Sequence, residues 1–125
     1  MKKFFVSLAT ALGISAAAQP QAKSPEHAVI VHFRYGSTNL DALFKAEDRL
    51  EAAITAAKAG ILDGHEIAVD GSDGTFYMYG PNADRLYKVV EPVLRTIPFM
   101  KGAVVTRRYG PPEDGVKTVV TRIDG

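Results

Sequence analysis

The strongest constraint on this chain is a pair of helical segments, each of which has apolar residues along one side only. In the second segment the apolar residues recur at the spacing of a 3.6-residue helix, at Leu86, Val89, Val90, Val93, Leu94 and Ile97. In the first segment, which is predicted to begin at a Thr38 cap, they are Leu40, Leu43, Phe44, Leu50, Ile54 and Ala57. A helix of this kind buries one side, so each must lie on a single apolar surface.

Five other segments have the β-branched and aromatic content of strands. They are Ala28–Tyr35, His65–Asp70, Thr75–Tyr79, Ala103–Tyr109 and Val116–Ile123. The stretch Gly71–Gly74 separates the second strand from the third and is typical of a hairpin turn. Gly80–Pro81 precedes the second helix, and a proline suits the first turn of a helix.

The order of these elements predicts the fold class. Strand, helix, strand, strand, helix and strand in succession form a ferredoxin-like βαββαβ plait of the α+β class. Because crossover connections are right-handed, we expect the first and third strands in the middle of the sheet. We expect the last segment to add a C-terminal antiparallel strand beside the fourth. Both helices then cover the same face of the sheet, and the opposite face stays open.

Length and composition narrow the possible functions. The chain has 125 residues, which suffice for one domain, and we place that domain at residues 28–124. The sequence has no cysteine, which excludes disulfides, thiolate zinc sites and cysteine nucleophiles. A formal net charge of +1 gives no sign of nucleic-acid binding.

Residues 1–18 have the three parts of a secretory signal peptide. Two lysines form a basic start, an apolar run covers residues 4–14, and small residues end at Ala18. The run is shorter than the roughly 20 residues that span a bilayer. We therefore expect cleavage after Ala18, or as late as Ala22, followed by a flexible leader over residues 19–27. The predicted location is periplasmic or secreted, without a membrane anchor.

Alternation along the strands predicts which residues the open face presents. They are His32, Arg34, Glu66, Asp70, Tyr77, Tyr79 and Arg108, together with Ile30 and Thr106. We expect His32 and Arg34 on the first strand to neighbour Tyr77 and Tyr79 on the third. Tyrosine and arginine are the residue types that anchor protein interfaces, so these residues form the candidate binding face. An ordinary solvated sheet face is the alternative interpretation.

The sequence has no pattern that identifies a catalytic, metal or cofactor site. Asp70–Gly74 has the composition of a calcium loop, but the bidentate acid of an EF-hand would fall at Pro81. The histidines are not at metal-ligand spacings, and they are His27, His32 and His65. No serine lies in a Gly-x-Ser-x-Gly motif, and no glycine-rich phosphate loop occurs. The carboxylates of Glu66 and Asp70 could act as an acid–base pair.

Several short stretches resemble a family of small bacterial proteins whose activity is not established. These stretches are Asp63–Ile67, Asp70–Gly74, Tyr77–Asp84, Pro92–Leu94 and Arg108–Pro112, and the likeness spans about Ala28 to Val120. The resemblance implies a ferredoxin-like plait and assigns no residue a catalytic role. Members of this family mostly lack an export signal, so residues 1–18 depart from the family pattern.

Together these observations predict an exported, non-enzymatic binding module that contacts its partner with the open face. The partner could be an unidentified protein, as for an inhibitor or immunity protein, or a second copy of the chain. The alternative is a small-molecule enzyme of the dimeric plait-barrel type, in which His32 and Arg34 line a cavity. Such an enzyme needs a concave, mostly apolar cavity with a few convergent polar groups, and this distinguishes the two hypotheses.

Overall fold

A computed structural model of the chain describes residues 27–124. The elements in chain order are β1 (His27–Arg34), α1 (Asp41–Ala57), β2 (Ile61–Ile67), β3 (Asp73–Gly80), α2 (Ala83–Leu94), β4 (Val104–Arg108) and β5 (Thr118–Arg122), with a 3₁₀ turn at Pro98–Met100. The predicted α+β class is confirmed, because this part of the chain forms a five-stranded antiparallel sheet with two helices. The predicted signal peptide, its cleavage site and the leader up to residue 26 lie outside the described residues.

The sheet has the strand order β2-β3-β1-β4-β5, and every neighbouring pair is antiparallel. Among the strands of residues 27–124, β1 is therefore the central one, and β2 and β5 form the two edges. The register of β2 against β3 shifts between Leu62 and Gly64, so Asp63 is an extra residue in this edge strand.

Both helices pack on the same face of the sheet. Val29, Val31 and Phe33 of β1 point to this face and are at most 1% exposed, whereas His32 and Arg34 between and after them are exposed. The two helices contact each other and share one apolar cluster with the sheet. Their buried residues in this cluster include Leu43, Leu50, Ile54, Leu86, Val90 and Leu94. The apolar stripes of the two helices thus cover one face of the sheet.

The start of α1 and one residue of its apolar stripe differ from the prediction. Thr38 is not the cap, because Asn39 Oδ1 accepts the backbone N–H of Asp41 at 2.9 Å and the helix begins at Asp41. Phe44, which was predicted to be buried, is 47% exposed, and its ring lies 6.0 Å from that of His65 at the edge of the helix layer.

The start of α2 also differs from the prediction. Asn82 caps this helix, because its Oδ1 accepts the backbone N–H of Arg85 at 3.0 Å, and Pro81 lies before the cap. Pro92 lies inside the helix on its exposed side, and the helix continues to Leu94. The interior proline is compatible with the fold because its ring points away from the core.

The hairpin between β2 and β3 closes earlier than predicted. β2 ends at Ile67, and the N–H of Ala68 donates to Asp73 O at 2.9 Å, so Val69 and Asp70 belong to the turn. Val69 lies in this turn and is fully exposed, although alternation along the predicted strand His65–Asp70 places it on the same face as Ile67. Gly71 has φ +74, and a Cβ atom there would lie 2.0 Å from Ser37 O, so the turn requires glycine.

Candidate functional site

The face of the sheet opposite the helices is built from alternate residues of all five strands, and we call it the open face. In β1 it consists of the even-numbered residues from Ala28 to Arg34. Cross-strand pairing places on the same face Ile61 and Glu66 of β2, Asp73, Thr75, Tyr77 and Tyr79 of β3, Val104, Thr106 and Arg108 of β4, and Thr118, Val120 and Arg122 of β5. Within residues 27–124 both helices lie on the other side, so neither covers these side chains.

The centre of the open face is apolar and aromatic. Ile30 lies opposite Tyr77, and Ala28 lies between Tyr79 and Arg108. Ala28 has none of its surface exposed, because its small side chain is flanked by these larger ones. Sequence alternation predicted Ile30, both tyrosines and Arg108 on this face, and the structure places all four there.

Apolar side chains continue this centre to both edge strands. Ile61 pairs with Tyr79 and is 51% exposed, and Val120 pairs with Thr106 and is 61% exposed. Single exposed apolar side chains are common on soluble proteins, but a contiguous apolar patch is typical of an interaction site. Exposed apolar side chains therefore lie on both edge strands of the open face, with Thr106 between Ile30 and Val120 on the β5 side.

His32 and Arg34 lie at one end of the open face, beside polar groups of β3. His32 Nδ1 is 3.2 Å from Thr75 Oγ1, and His32 Nε2 is 3.3 Å from Asp73 Oδ2. Arg34 pairs with Asp73. The prediction that these two residues lie beside the tyrosines is wrong for the direct cross-strand pairs, because β1 pairs with β3 in a register that places Thr75 opposite His32 and Ile30 opposite Tyr77.

Glu66 and Tyr77 form a hydrogen-bonded pair on the β2 side of the open face. The Tyr77 hydroxyl donates to Glu66 Oε1 at 2.6 Å. This hydrogen bond, together with desolvation and the negative charge of Glu66, raises the pKa of Tyr77 above its ordinary value. The bond holds the tyrosine ring in a fixed orientation over the sheet.

Asp70 does not share the open face with the other candidate residues. It lies in the turn after β2, where its Oδ1 accepts the backbone N–H of Ser72 at 2.9 Å. Hydrogen bonds from Ser72 lower the pKa of Asp70. Asp70 is therefore a turn residue, whereas Glu66 lies in β2.

The basic residues of the open face lie in β4 and β5. Arg108 is partly buried, and its Nε donates to Gly110 O at 2.7 Å. Arg122 is exposed, and its Nη1 donates to Gly102 O at 3.0 Å. Arg122 was not predicted to be part of the face, because both Val119 and Val120 are apolar and alternation does not distinguish the two sides of β5.

A concavity interrupts the open face at the end where His32 lies. Its volume is about 450 Å³, and its lining includes His32, Glu66, Asp73 and Thr75. The lining is polar and carries two carboxylates, so the concavity is suited to a cationic or hydrogen-bonding group. Asp73 is a residue of this site that the prediction assigned to the hairpin turn.

A second group of hydrogen-bonded polar side chains lies on the helix side of the sheet. Arg107 Nη1 donates to Asp84 Oδ1 at 2.9 Å, and the Tyr109 hydroxyl donates to the same oxygen. The hydrogen bond from Tyr109, with the charge of Arg107, lowers the pKa of Asp84, and the pKa of Tyr109 is raised in turn. These groups tie α2 to the sheet. The sequence pattern did not predict these hydrogen bonds.

The three histidines lie in separate places. The backbone N–H of Ala83 donates to His27 Nδ1 at 3.0 Å, and His65 Nδ1 lies 2.7 Å from Glu47 Oε2, while His32 belongs to the open face. Among residues 27–124 no group of three or more histidine, aspartate or glutamate side chains is arranged to hold a metal ion. No helix in this range is long and apolar enough to span a membrane.

Comparisons with protein-family models, with curated proteins and with solved structures find no match to the chain.

Proposed function

We propose that this protein is a non-enzymatic binding module and that the open face is its contact surface for a protein partner. One observation carries the proposal: the helices cover one face of the sheet, while the other presents Ile30, Tyr77 and Tyr79 together. Aromatic and aliphatic side chains at the centre of a surface, with charged groups around them, are the usual composition of a protein interface.

Two further parts of the proposal concern the fold and the location. We assign the domain to the ferredoxin-like plait with one added C-terminal strand, and the strand order with β1 in the centre supports this assignment. We assign residues 1–18 to a signal peptide on the basis of their sequence, which makes the protein periplasmic or secreted. We also propose that the chain belongs to the family of small bacterial proteins that its sequence resembles.

The energetics of the open face favour contact with a partner. Ile61 and Val120 are each more than half exposed, so covering them removes apolar surface from water. Apolar burial contributes about 25 cal/mol per Å². The hydroxyl of Tyr77 is already bonded to Glu66, so covering its ring does not leave that hydroxyl unpaired. These features lower the cost of desolvating the centre of the face.

The enzyme alternative has less support. It requires a mostly apolar cavity lined by both His32 and Arg34. The concavity beside His32 has Glu66 and Asp73 in its lining, and Arg34 lies outside it, opposite Asp73. A polar depression with two carboxylates fits a basic group of a protein partner better than a small apolar substrate.

Site-specific photo-crosslinking tests this proposal. A benzophenone amino acid is placed at Tyr77 or at Val120 on the open face, and at Glu51 on the exposed side of α1 as the control. Each full-length variant is irradiated in the cells that produce it. We expect a discrete crosslinked protein product from the two open-face positions and none from Glu51. Equal yields from all three positions, or no product from either open-face position, would contradict the proposal.

A further inference from the structure

The charges of the open face are divided between its two halves. Among the strand residues on this face, the half formed by β2 and β3 carries the carboxylates of Glu66 and Asp73 and no basic group. The half formed by β4 and β5 carries Arg108 and Arg122 and no carboxylate. A face with opposite charges on its two halves is complementary to a copy of itself when unlike halves meet.

We propose that the open face binds a second copy of this chain, related by a two-fold axis that runs along β1 in the plane of contact. This inference rests on the proposed function and names its partner. Because β1 is the middle of the five strands, such an axis places β2 of one copy over β5 of the other and β3 over β4. Each acidic half then faces a basic half.

The register places the edge charges at the same level along this axis. One row of successive cross-strand pairs consists of Glu66, Thr75, His32, Val104 and Arg122. Glu66 and Arg122 end this row at opposite edges of the sheet, which are four strand spacings or about 19 Å apart. The two-fold operation therefore brings Glu66 opposite the partner's Arg122, and the contact occurs twice in the dimer.

The shape of the acidic half also suits an incoming arginine. The concavity of about 450 Å³ is lined in part by Glu66 and Asp73. Arg122 Nη1 donates to Gly102 O, and Gly102 precedes β4 at the end of the sheet where Asp73 begins β3. In the dimer the partner's guanidinium thus lies over the depression between the two carboxylates, where an arginine can form two charge-assisted hydrogen bonds.

The apolar centre of the face also meets a matching surface. The axis runs along β1, so Ala28, Ile30, His32 and Arg34 each face their own copy in the partner, and Tyr79 faces the level of the partner's Arg108. Residues on the two-fold axis of an isologous interface contact themselves, which Ala28 and Ile30 tolerate because they are small or apolar. Asp73 lies beside both His32 and Arg34 of its own chain, so a carboxylate accompanies the basic groups at that end of the axis.

The dimensions of the face are those of a dimer interface. Five strands about 4.8 Å apart and five to eight residues long give a projected area of about 400–650 Å². The accessible area of a face with projecting side chains is larger and approaches the roughly 800 Å² per partner of a standard interface. Two packed sheets cross at an angle of about 30°. For a strand that lies about 10 Å from the axis, this angle produces a displacement of about 5 Å, which an arginine side chain can span.

A two-fold axis perpendicular to the strands is less favourable. It places β2 over the partner's β2 and β5 over the partner's β5, so that each half of the face meets its own copy. Glu66 then faces β2 of the partner and Arg122 faces β5 of the partner, so these two residues do not meet. The contact between Glu66 and the partner's Arg122 is therefore specific to the axis along β1.

Reversal of the two edge charges tests the proposed axis. The dissociation constant of the dimer is measured by sedimentation for the full chain and for Glu66→Arg, Arg122→Glu and the double variant. We expect each single substitution to weaken the dimer at least about tenfold, because it creates two like-charge contacts. The double variant restores the dissociation constant to within about threefold. The two residues are about 19 Å apart in one chain, so the restoration has to come from contacts between copies.

A variant with matched charge separates this effect from net charge. Glu66→Arg combined with Lys88→Glu has the same net charge as the double variant, but Lys88 lies on the exposed side of α2. We expect this control to stay as weak as Glu66→Arg alone. Circular dichroism verifies that each variant is folded, and the neutral changes Glu66→Gln and Arg122→Gln replace any reversal that unfolds the chain.

The outcomes distinguish this inference from the proposed function. A dimer that is indifferent to both single substitutions, or that the double variant does not restore, overturns the proposed axis. A wild-type chain that stays monomeric, while Tyr77 still crosslinks to a different protein, overturns self-association and leaves the binding function standing. A monomeric chain with no crosslinked product from the open face contradicts both.

Discussion

Val31 and His32 are adjacent in the central strand but point to opposite faces of the sheet, so their replacement by alanine has very different expected costs. Val31 has none of its surface exposed and belongs to the core cluster under the helices. The His32 side chain is 52% exposed, and its polar contacts within residues 27–124 are with Thr75 and Asp73. We expect Val31→Ala to destabilise the fold much more than His32→Ala.

The magnitudes follow from the groups that each substitution removes. Val31→Ala deletes two buried methyl groups, which accounts for about 1.6 kcal/mol of transfer free energy. The cavity that remains adds about 1 kcal/mol, at about 24 cal/mol per Å³ for a volume of about 50 Å³. The total cost is about 2–3 kcal/mol. His32→Ala removes two exposed polar contacts, which are worth about 0–1 kcal/mol.

Urea denaturation followed by circular dichroism measures both costs. With a slope of about 1–1.5 kcal/mol per M for a domain of this size, Val31→Ala lowers the midpoint by about 2 M. His32→Ala lowers it by less than about 1 M. Each curve is recorded at two protein concentrations, because dimerisation makes the apparent stability depend on concentration.

The reasoning would be refuted by equal midpoint shifts at the lower concentration. That result would mean that both sides of β1 are buried within a single chain, and the open face would not be open. A shift for His32→Ala that appears only at the higher concentration is compatible with the account, because it reports the loss of contacts between copies.

Three further predictions concern the core and two hydrogen-bonded pairs. Leu94→Ala costs about 2–5 kcal/mol in chemical denaturation, because Leu94 is fully buried, and an unchanged midpoint would show that the stripe of α2 is misassigned. Tyr109→Phe raises the pKa of Asp84 toward 3.8 in an NMR titration, because it removes the hydrogen bond that lowers this pKa. The pKa of Asp84 is lower in the folded than in the unfolded chain, so its ionised carboxylate stabilises the fold at pH values above the unfolded pKa. This stabilisation is lost as the pH falls through the folded pKa. An Asp84 pKa that is unchanged in Tyr109→Phe would contradict the assignment. Glu66→Gln lowers the pKa of Tyr77 toward 10.0, which tyrosine ring shifts measure, and a pKa of Tyr77 that stays raised would show that Glu66 is not the cause.

The one-sided packing of the helices could be predicted from the sequence because it depends on periodicity alone. The stripe of Leu86, Val90 and Leu94 is repeated at every turn of the helix, and all three are fully buried. Likewise Val31 alternates with His32, so the two faces of β1 differ in polarity. Such patterns extend over many residues, and a shift of one or two residues in the boundaries does not change them.

The boundaries and the register could not be predicted, because they depend on single hydrogen bonds and on contacts between distant segments. Asp70 was assigned to the open face because Ile67 and Val69 alternate with Glu66 and Asp70. The turn instead closes at Ala68, where its N–H donates to Asp73 O. A change in where this hairpin closes changes the pairs between β2 and β3. The neighbours of His32 depend on the register between β1 and β3, which are distant in the sequence, and they were predicted incorrectly although its face was predicted correctly.

Radical footprinting of tyrosine side chains tests most directly the central claim that the uncovered sheet face is the surface of contact. Tyr77 and Tyr79 belong to the open face, and Tyr35 lies on the helix side, where its ring is 5.0 Å from that of Phe99. Oxidation of each tyrosine is quantified by mass spectrometry as the protein concentration is raised. The account predicts that oxidation of Tyr77 and Tyr79 falls relative to that of Tyr35. Constant oxidation of both open-face tyrosines in a sample shown to be dimeric, or protection of Tyr35 instead, would contradict it.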